Sequence, residues 1–184
     1  MNLQDLNIDK TWTLFLDRDG VINQRIINGY VTRWEEFVFG PGVLEALKSL
    51  SLVFGKLIIV TNQQGIGKGI MTDNDLLIIH NRLVEEVNKA GGRIDKIYYS
   101  PFLDEQKNPM RKPDIGMAML AKKDFPEITF SKSIMVGDSL SDMEFGKKVD
   151  MYTVFISDEE IQEEFKKQID YFSFHLLDFA RKLQ

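Results

Sequence analysis

The chain has 184 residues, of which 43% are hydrophobic and 28% charged, so it is long enough for one globular domain with a substantial core. Its 28 acidic and 23 basic residues give a net charge of −5, and no block of Lys and Arg suggests a nucleic-acid partner. It contains no cysteine, which excludes disulfides, thiolate catalysis and a zinc site built on cysteine. Because it lacks both a signal core near residue 1 and an apolar span of 18 residues, we expect a cytoplasmic protein that does not enter a membrane.

Strand-like and helix-like segments alternate along the chain. Five short apolar runs bounded by turn residues are typical of buried strands, at 12–16, 57–61, 94–99, 133–136 and 152–156. Helical patterns cover 41–50, 72–89 and 113–123, and a further helix is expected to begin at Ser157. The alternation predicts an α/β fold, a Rossmann-like three-layer arrangement in which a mainly parallel sheet has helices on both faces. No linker or repeat divides the chain, so we expect one domain over residues 1–184.

Two intervals are longer than simple turns, at 21–39 and 101–111. Loops at the carboxyl edge of such a sheet carry function more often than its core strands do. Neither interval is long enough to fold as a separate cap domain. Tyr30, in the first interval, either contacts a substrate or packs within the loop.

The segment Asp17-Arg18-Asp19-Gly20 follows directly on the first apolar run. In an open α/β sheet, ligands bind outside the carboxyl ends of the strands, so both acids stand where chemistry takes place. Gly20 permits a sharp turn and a close approach of the backbone to a ligand. Acidic turns after strands are also common without any function, so the later motifs decide between these interpretations.

The second apolar run ends in Thr61, Asn62 and Gln63, at the edge where Asp17 is expected. The Thr61 hydroxyl and the backbone N–H groups that follow are suited to holding phosphate oxygens, and an ordinary polar turn is the alternative. The glycine-rich segment 65–69 lacks the spacing of a nucleotide-binding P-loop, and we interpret it as a flexible turn.

Arg111 and Lys112 precede Pro113, at the predicted start of a helix. The helix dipole opposes a cation at that end, so the pair does not serve the stability of the helix. A nearby anion would explain it, and a solvated pair of basic residues is the alternative.

The fourth run ends in Gly137-Asp138, and Asp142 follows four residues later. Parallel strands that end at one edge bring Asp138 near Asp17. Clustered carboxylates repel each other unless a cation neutralises them, and their hard oxygen atoms suit Mg²⁺. Asp142 is either a second acid of this site or an ordinary residue in the first turn of a helix.

In order, these motifs closely resemble those of the haloacid-dehalogenase superfamily of phosphotransferases, and with the flanking strands the likeness covers most of the chain. Four segments resemble the branch that contains D-glycero-D-manno-heptose 1,7-bisphosphate phosphatase and the phosphatase domain of histidinol-phosphatase. These segments are Asp17-Arg18-Asp19-Gly20-Val21-Ile22-Asn23, Gly29-Tyr30-Val31, Thr61-Asn62-Gln63-Gln64-Gly65-Ile66 and Arg111-Lys112-Pro113. The resemblance implies a haloacid-dehalogenase-like fold without a cap domain.

The resemblance also implies a mechanism. Asp17 would attack phosphorus and form an aspartyl-phosphate, and Asp19 would act first as acid and then as base. Mg²⁺ would be held by Asp17, the backbone carbonyl of Asp19 and Asp138. Thr61 and Lys112 would bind the phosphoryl oxygens.

Recognition of the rest of the substrate would fall to a second group of side chains. Arg111 has this role by resemblance, and the further candidates are Asn62, Gln63 and Tyr30.

Two features depart from the family pattern. Many relatives bind structural zinc through Cys and His in the loop before Arg-Lys-Pro, whereas Ser100, Phe102, Asn108 and Met110 fall where those ligands would stand. We therefore expect no zinc. Ser139 stands where the family commonly has a basic residue, which removes one expected phosphate contact.

The residues and the resemblance together favour a Mg²⁺-dependent phosphomonoesterase acting on a small sugar phosphate, a small phosphorylated metabolite for which the resemblance implies first of all D-glycero-D-manno-heptose 1,7-bisphosphate. The alternatives are a histidinol-phosphate phosphatase, a polynucleotide 3′-phosphatase or a catalytically idle binding module. A monomer is the default expectation. His80 lies on the apolar stripe of its helix, and we interpret it as a packed core residue rather than a catalytic base.

Overall fold

The structure is a computed structural model, and it describes residues 3–158 and 165–183. All of its named strands belong to one parallel sheet: β1 Thr13–Leu16, β2 Lys56–Asn62, β3 Lys96–Ser100, β4 Ser133–Gly137, β5 Tyr152–Ile156 and β6 Tyr171–Ser173. Their order across the sheet is β3-β2-β1-β4-β5-β6. This order puts β1 in the middle, with β2 on one side and β4 on the other, as the register of Leu16 with Ile59 and Val136 shows.

Helices connect the strands. They are α1 Val43–Val53, α2 Gln64–Gly67, α3 Asp73–Lys89, α4 Gly116–Asp124, α5 Leu140–Lys147 and α6 Leu176–Lys182. Short 3-10 turns lie at Leu3–Asp5, Trp34–Glu36, Asp104–Gln106, Phe130–Lys132 and Lys166–Gln168. Within the described residues, no helix combines the length and the apolar character that crossing a bilayer requires.

Two hydrophobic cores lie on opposite faces of the sheet, because side chains alternate along each strand. Leu14 and Leu16 of β1 pack in the core that includes α1, α3 and α6, whereas Phe15 packs with α4 and α5. The prediction of a parallel sheet covered on both faces is thereby confirmed.

The five predicted strands and the helix after Thr72 match the structure to within two residues at their ends. Thr72 forms the expected capping box with Asp75. The strand β6 was not predicted, because a three-residue segment gives no apolar run. The helix expected from 113 begins only at Gly116, since the Gly116 N–H donates to the Pro109 carbonyl (2.8 Å) and a turn precedes the helix. The prediction of a helix from Ser157 falls on residues 159–164, which lie outside the described part of the chain.

The loop between β1 and α1 returns along the carboxyl edge of the sheet. The Gly40 N–H donates to the Ile22 carbonyl (2.9 Å), and Trp34 stacks on Phe37 with ring centroids 5.0 Å apart. These contacts hold the loop over the ends of the central strands, where the polar motifs lie.

Candidate active site

The carboxyl ends of β2, β1 and β4 open into one cavity of about 530 Å³. The motifs that the sequence singles out converge on it, as expected for the edge of a parallel sheet. Its walls contain Asp17, Arg18, Asp19, Arg25, Ile26, Asn28, Gly29, Tyr30, Val31, Thr61, Asn62, Gln63, Gln64, Lys68, Arg111, Lys112, Ser139 and Ser141.

Asp17 lies at the floor of this cavity, directly after β1, and is only 6% exposed. Its N–H donates to the Val136 carbonyl (2.9 Å), which continues the ladder between β1 and β4 by one residue. Its Oδ1 accepts hydrogen bonds from the Arg18 N–H (2.7 Å) and lies 2.9 Å from Lys112 Nζ. Burial raises the pKa of Asp17 to about 6, against the opposing effect of Lys112.

Asp138 follows β4 and meets the turn after β1. Gly20 has φ +95°, and a Cβ there would lie 1.7 Å from Asp138 Oδ2, so only glycine allows this approach. Arg25, from the long loop, donates from Nη2 to Asp138 Oδ1 (2.7 Å) and to the Asp19 carbonyl (3.2 Å). Burial raises the pKa of Asp138 to about 8, with a further increase from Asp17 and an opposing effect of Arg25.

Lys112 is buried at 2% exposure although it lies in a loop. Its Nζ lies 2.9 Å from Asp17 Oδ1 and 2.6 Å from Asp142 Oδ1, and it donates to the Val60 carbonyl (2.7 Å). Burial alone would lower its pKa, but the two carboxylates raise it, so Lys112 remains a cation.

The backbone of Lys112 is held in place by Asn62. Asn62 Oδ1 accepts from the Lys112 N–H (3.0 Å), and Asn62 Nδ2 donates to the Lys112 carbonyl (3.0 Å). Asn62 was expected to bind substrate. Its carboxamide bonds with the backbone of Lys112, and Asn62 also lines the cavity, so its contact with substrate stays a prediction.

Asp142, whose role the sequence left open, belongs to the site. It is fully buried, and its Oδ2 accepts from the Ser139 hydroxyl (2.6 Å) and N–H (3.1 Å). A Cβ on Gly137 would lie 2.1 Å from the Cβ of Asp142, so the glycine that ends β4 lets α5 approach this closely.

Three carboxylates are close enough to share a cation. Asp17, Asp138 and Asp142 each offer an oxygen atom, and these atoms lie within 4.8 Å of one another. Of the expected ligands, Asp17 and Asp138 are in this group, and Asp19 offers its backbone carbonyl rather than its carboxylate. A hard divalent ion such as Mg²⁺ fits three carboxylate oxygen donors of this kind.

The carboxylate of Asp19 is turned toward the other side of the cavity. Arg18 Nη2 donates to both of its oxygens (2.8 and 2.9 Å), and Asn23 and Gln63 donate one hydrogen bond each, at 2.9 and 2.8 Å. Burial would raise the pKa of Asp19, but Arg18 and these hydrogen bonds outweigh it and lower the pKa. Gln63 also donates to the Thr61 hydroxyl (2.9 Å), so it connects Asp19 to Thr61.

Arg18 lines the cavity, a position that the sequence did not indicate, and His80 contacts Arg18 without lining the cavity itself. Arg18 is completely buried, and its Nη1 lies 3.3 Å from His80 Nε2. Since arginine only donates, Nε2 of His80 carries no proton in this contact. Burial, and then the charge of Arg18, lower the pKa of His80 to about 3. The prediction that His80 is buried in its helix is correct, but its position on an apolar stripe gave no sign of the contact with Arg18.

The outer wall of the cavity is formed by side chains from three loops. The Tyr30 hydroxyl accepts from Gln64 Nε2 (3.0 Å) and Lys68 Nζ (2.9 Å). Arg111 lines the cavity, and its guanidinium lies 3.3 Å from Asp104 Oδ1. Segment 65–69, interpreted from sequence as a turn, mostly belongs to the short helix α2 and ends at Gly69, which has φ +68°.

Comparisons with known proteins identify relatives of this chain. The sequence profile of the family described as "Polynucleotide kinase 3 phosphatase" matches residues 13–178. The chain is 40% identical over 138 residues to the D-glycero-alpha-D-manno-heptose-1,7-bisphosphate 7-phosphatase of Mycobacterium bovis, covering 75% of this chain and 73% of that protein. It is 39% identical over 163 residues to the protein of the same name in Campylobacter jejuni, covering 89% of each.

A solved structure shows the same fold. The D,D-heptose 1,7-bisphosphate phosphatase from B. bronchiseptica, complexed with magnesium and phosphate, matches with a TM-score of 0.82 over 94% of this chain and 97% of that one. Sequence identity in this pair is 24%, so the match bears on the fold alone. The predicted haloacid-dehalogenase-like architecture is confirmed.

Proposed function

The chain belongs to the polynucleotide kinase 3 phosphatase family of haloacid-dehalogenase phosphatases, and on that basis we propose that it removes the C7 phosphate from D-glycero-D-manno-heptose 1,7-bisphosphate. The observation that carries the proposal is the buried carboxylate of Asp17, held by Lys112 at the meeting point of three strand ends. It is supported by relatives at 39–40% identity that bear the name of this activity.

Asp17 is the nucleophile. Its Oδ1 is fixed by the Arg18 N–H and Lys112, which leaves Oδ2 to attack phosphorus in line. The bond between phosphorus and the sugar oxygen breaks, and an aspartyl-phosphate forms. Burial raises the pKa of Asp17, and Lys112 opposes this effect and favours the ionised carboxylate, which is the form that attacks.

Asp19 is the general acid and then the general base. In the free site its pKa is lowered, and the negative charge of an incoming phosphate acts in the opposite direction and favours protonation. Asp19 then gives its proton to the leaving sugar oxygen. In the second half of the reaction it takes a proton from the water that attacks the aspartyl-phosphate, and Asp17 is regenerated.

Lys112 and Thr61 bind the oxygens of the transferring phosphoryl group, whose charge they offset as preorganised donors. Asn62 holds Lys112 in position, and Gln63 holds Asp19 and Thr61. Arg111, on the cavity wall, contacts the sugar part of the substrate.

Mg²⁺ is the proposed cofactor, held by Asp17, Asp138 and the backbone carbonyl of Asp19. When bound, it balances the negative charge that accumulates between the carboxylate and the phosphate. The donors are all oxygen atoms and the chain has no cysteine, so we propose that the enzyme needs no zinc.

The cavity suits a small substrate. We propose that the chain forms a single domain without a cap and acts as a cytoplasmic monomer, so that the loops at 21–39 and 101–111 set specificity. The family's name points to a second candidate, a polynucleotide 3′-phosphate. The net charge of −5 supports the sugar bisphosphate, because an acidic protein repels a nucleic-acid backbone.

The first experiment measures phosphate release from p-nitrophenyl phosphate with Mg²⁺, for the wild type and Asp17→Asn. We expect Asp17→Asn to lose turnover, because an amide does not attack phosphorus. The matched control is Asp150→Asn, the same chemical change at an exposed residue whose left-handed φ of 60° asparagine also accepts. Undiminished turnover in Asp17→Asn would refute the assignment of the nucleophile.

The second experiment compares kcat/KM for both anomers of the heptose bisphosphate, histidinol phosphate and a 3′-phosphorylated oligonucleotide. The proposal expects the bisphosphate to have the highest value by at least tenfold. A higher value for the oligonucleotide would replace the proposed substrate with the second candidate while leaving the chemistry intact.

A further inference from the structure

Five cations line the cavity, and they differ in whether a carboxylate neutralises them. Four of them pair with acids: Arg18 with Asp19, Arg25 with Asp138, Arg111 with Asp104, and Lys112 with Asp17 and Asp142. Lys68 is the fifth, and among the described residues no carboxylate lies within ion-pair distance of it. Its charge is therefore free to bind an anion from solution.

Lys68 is nevertheless held in a defined place. Its Nζ donates to the Tyr30 hydroxyl (2.9 Å) and lies 5.4 Å from the centroid of the Tyr30 ring. The ring itself packs over Gly65, where a Cβ would come within 3.3 Å of it. Because the side chain of Lys68 is already held in place, little side-chain entropy is lost when it binds an anion.

The hydroxyl of Tyr30 completes an anion site. A hydroxyl has two acceptor lone pairs and one O–H donor. The lone pairs of Tyr30 receive Lys68 Nζ and Gln64 Nε2, which leaves its O–H to donate outward. Lys68 and Tyr30 together thus present a positive charge and an additional donor, the combination that phosphate oxygens accept.

This pair lies at a distance from the reacting carboxylates. Gln63 contacts Asp19, and Lys68 lies five residues further along the chain, beyond the helix α2, so the helical rise separates their backbones by roughly 7 to 8 Å. A small sugar with phosphates at both ends can span the two places.

We propose that Lys68 and Tyr30 bind the second, non-reacting phosphate of a doubly phosphorylated substrate. This inference rests on the proposed function and specifies how the enzyme selects a bisphosphate over a monophosphate. The glycine-rich segment around Lys68 lacks the spacing of a phosphate loop, and the proposal nevertheless gives it a role in binding phosphate.

The test uses the ratio of kcat/KM for heptose 1,7-bisphosphate to kcat/KM for p-nitrophenyl phosphate, which has no second phosphate. Lys68→Met keeps the aliphatic stem and removes the charge, and we expect it to lower the ratio 10- to 100-fold, mainly through KM for the bisphosphate. Tyr30→Phe should lower the ratio less, and Lys68→Arg should restore most of it. Lys89→Met, on the exposed face of α3, is the matched control and should leave the ratio as it is.

The possible outcomes distinguish failure of the inference about Lys68 from failure of the proposed function. A ratio that stays constant in Lys68→Met overturns the inference and leaves the phosphatase proposal standing. Equal losses on both substrates overturn it as well, because they place Lys68 at the reacting phosphate or in the fold. Absence of turnover by the wild type on every phosphate ester would instead refute the proposed function.

Discussion

Lys112 Nζ lies 2.6 Å from Asp142 Oδ1, and both side chains are almost completely buried. Asp142 therefore supplies a second negative charge to a lysine that also faces Asp17 at 2.9 Å. Removing a partner from a buried ion pair leaves an uncompensated charge, which is costly because water cannot reach it. This geometry gives Asp142 a task that is separate from holding a cation.

Asp142→Asn is expected to lower kcat on the order of 100-fold and the free energy of unfolding by about 3 kcal/mol. The amide oxygen still accepts from Ser139, and the NH2 group then faces Lys112, so the loss reports both the charge and the acceptor removed from Lys112. Steady-state kinetics and urea denaturation measure the two effects. The double variant Lys112→Met/Asp142→Asn should be destabilised by less than the sum of the single variants, and strict additivity would contradict the coupling.

Arg25→Ala is expected to tighten cation binding. Arg25 Nη2 donates to Asp138 and to the Asp19 carbonyl, two of the proposed ligands, so the guanidinium competes with a divalent ion for them. The side chain is 51% exposed, and an exposed ion pair contributes up to about 1 kcal/mol, which corresponds to about a fivefold lower Kd. Calorimetric titration with Mg²⁺ or Mn²⁺ checks this, with Arg33→Ala as the control, an exposed arginine paired with Glu36. Weaker binding by Arg25→Ala would show that the arginine supports the site instead.

The sequence indicated the parts of the site that follow a simple rule. Asp17, Thr61 and Asp138 each come at the end of an apolar run, and the ends of neighbouring parallel strands must meet. Arg25 lies in a loop of 19 residues at 21–39, and its contact with Asp138 depends on the path of that loop, which no periodicity encodes. Likewise, His80 has the spacing of a core residue, and only the tertiary placement of α3, which shares a hydrophobic core with β1, brings it to Arg18.

The sequence also did not predict the hydrogen-bond partners of neighbouring polar residues. Asn62 was expected at the substrate, and the structure shows its amide bound to both backbone groups of Lys112, fifty residues away. Such contacts are tertiary, so the residue type alone does not distinguish a ligand from a support.

Gly20→Ala is expected to reduce both stability and activity. A Cβ at this position would overlap Asp138 Oδ2, and φ +95° is itself strained for alanine. Gly69→Ala separates backbone strain from steric overlap. Gly69 also has a positive φ, but no atom of a non-neighbouring residue lies within 4 Å of its Cβ position. We expect a loss of about 1 kcal/mol in unfolding free energy for Gly69→Ala, and at least 2 kcal/mol more for Gly20→Ala. Equal losses in thermal or urea denaturation would show that strain alone accounts for Gly20.

His80 is expected to make the protein less stable in mild acid. Its pKa is about 3 in the folded protein and 6.5 in the unfolded chain, since burial and Arg18 disfavour its charged form. Its contribution is complete above pH 6.5 and is lost as the pH falls toward 3, because only the unfolded chain takes up the proton. The free energy of unfolding should decrease by up to about 1.4 kcal/mol per pH unit in that window.

Urea denaturation between pH 7 and pH 4 measures this slope, and His80→Gln should flatten it, because glutamine accepts from Arg18 without binding a proton. The chain has one other histidine, His175, whose side chain is 41% exposed near Asp158. His175→Gln is therefore the control, and it should keep the wild-type slope. If His80→Gln and the wild type lose stability in parallel, protonation of His80 is not what destabilises the protein in acid, and the carboxylates must account for the loss.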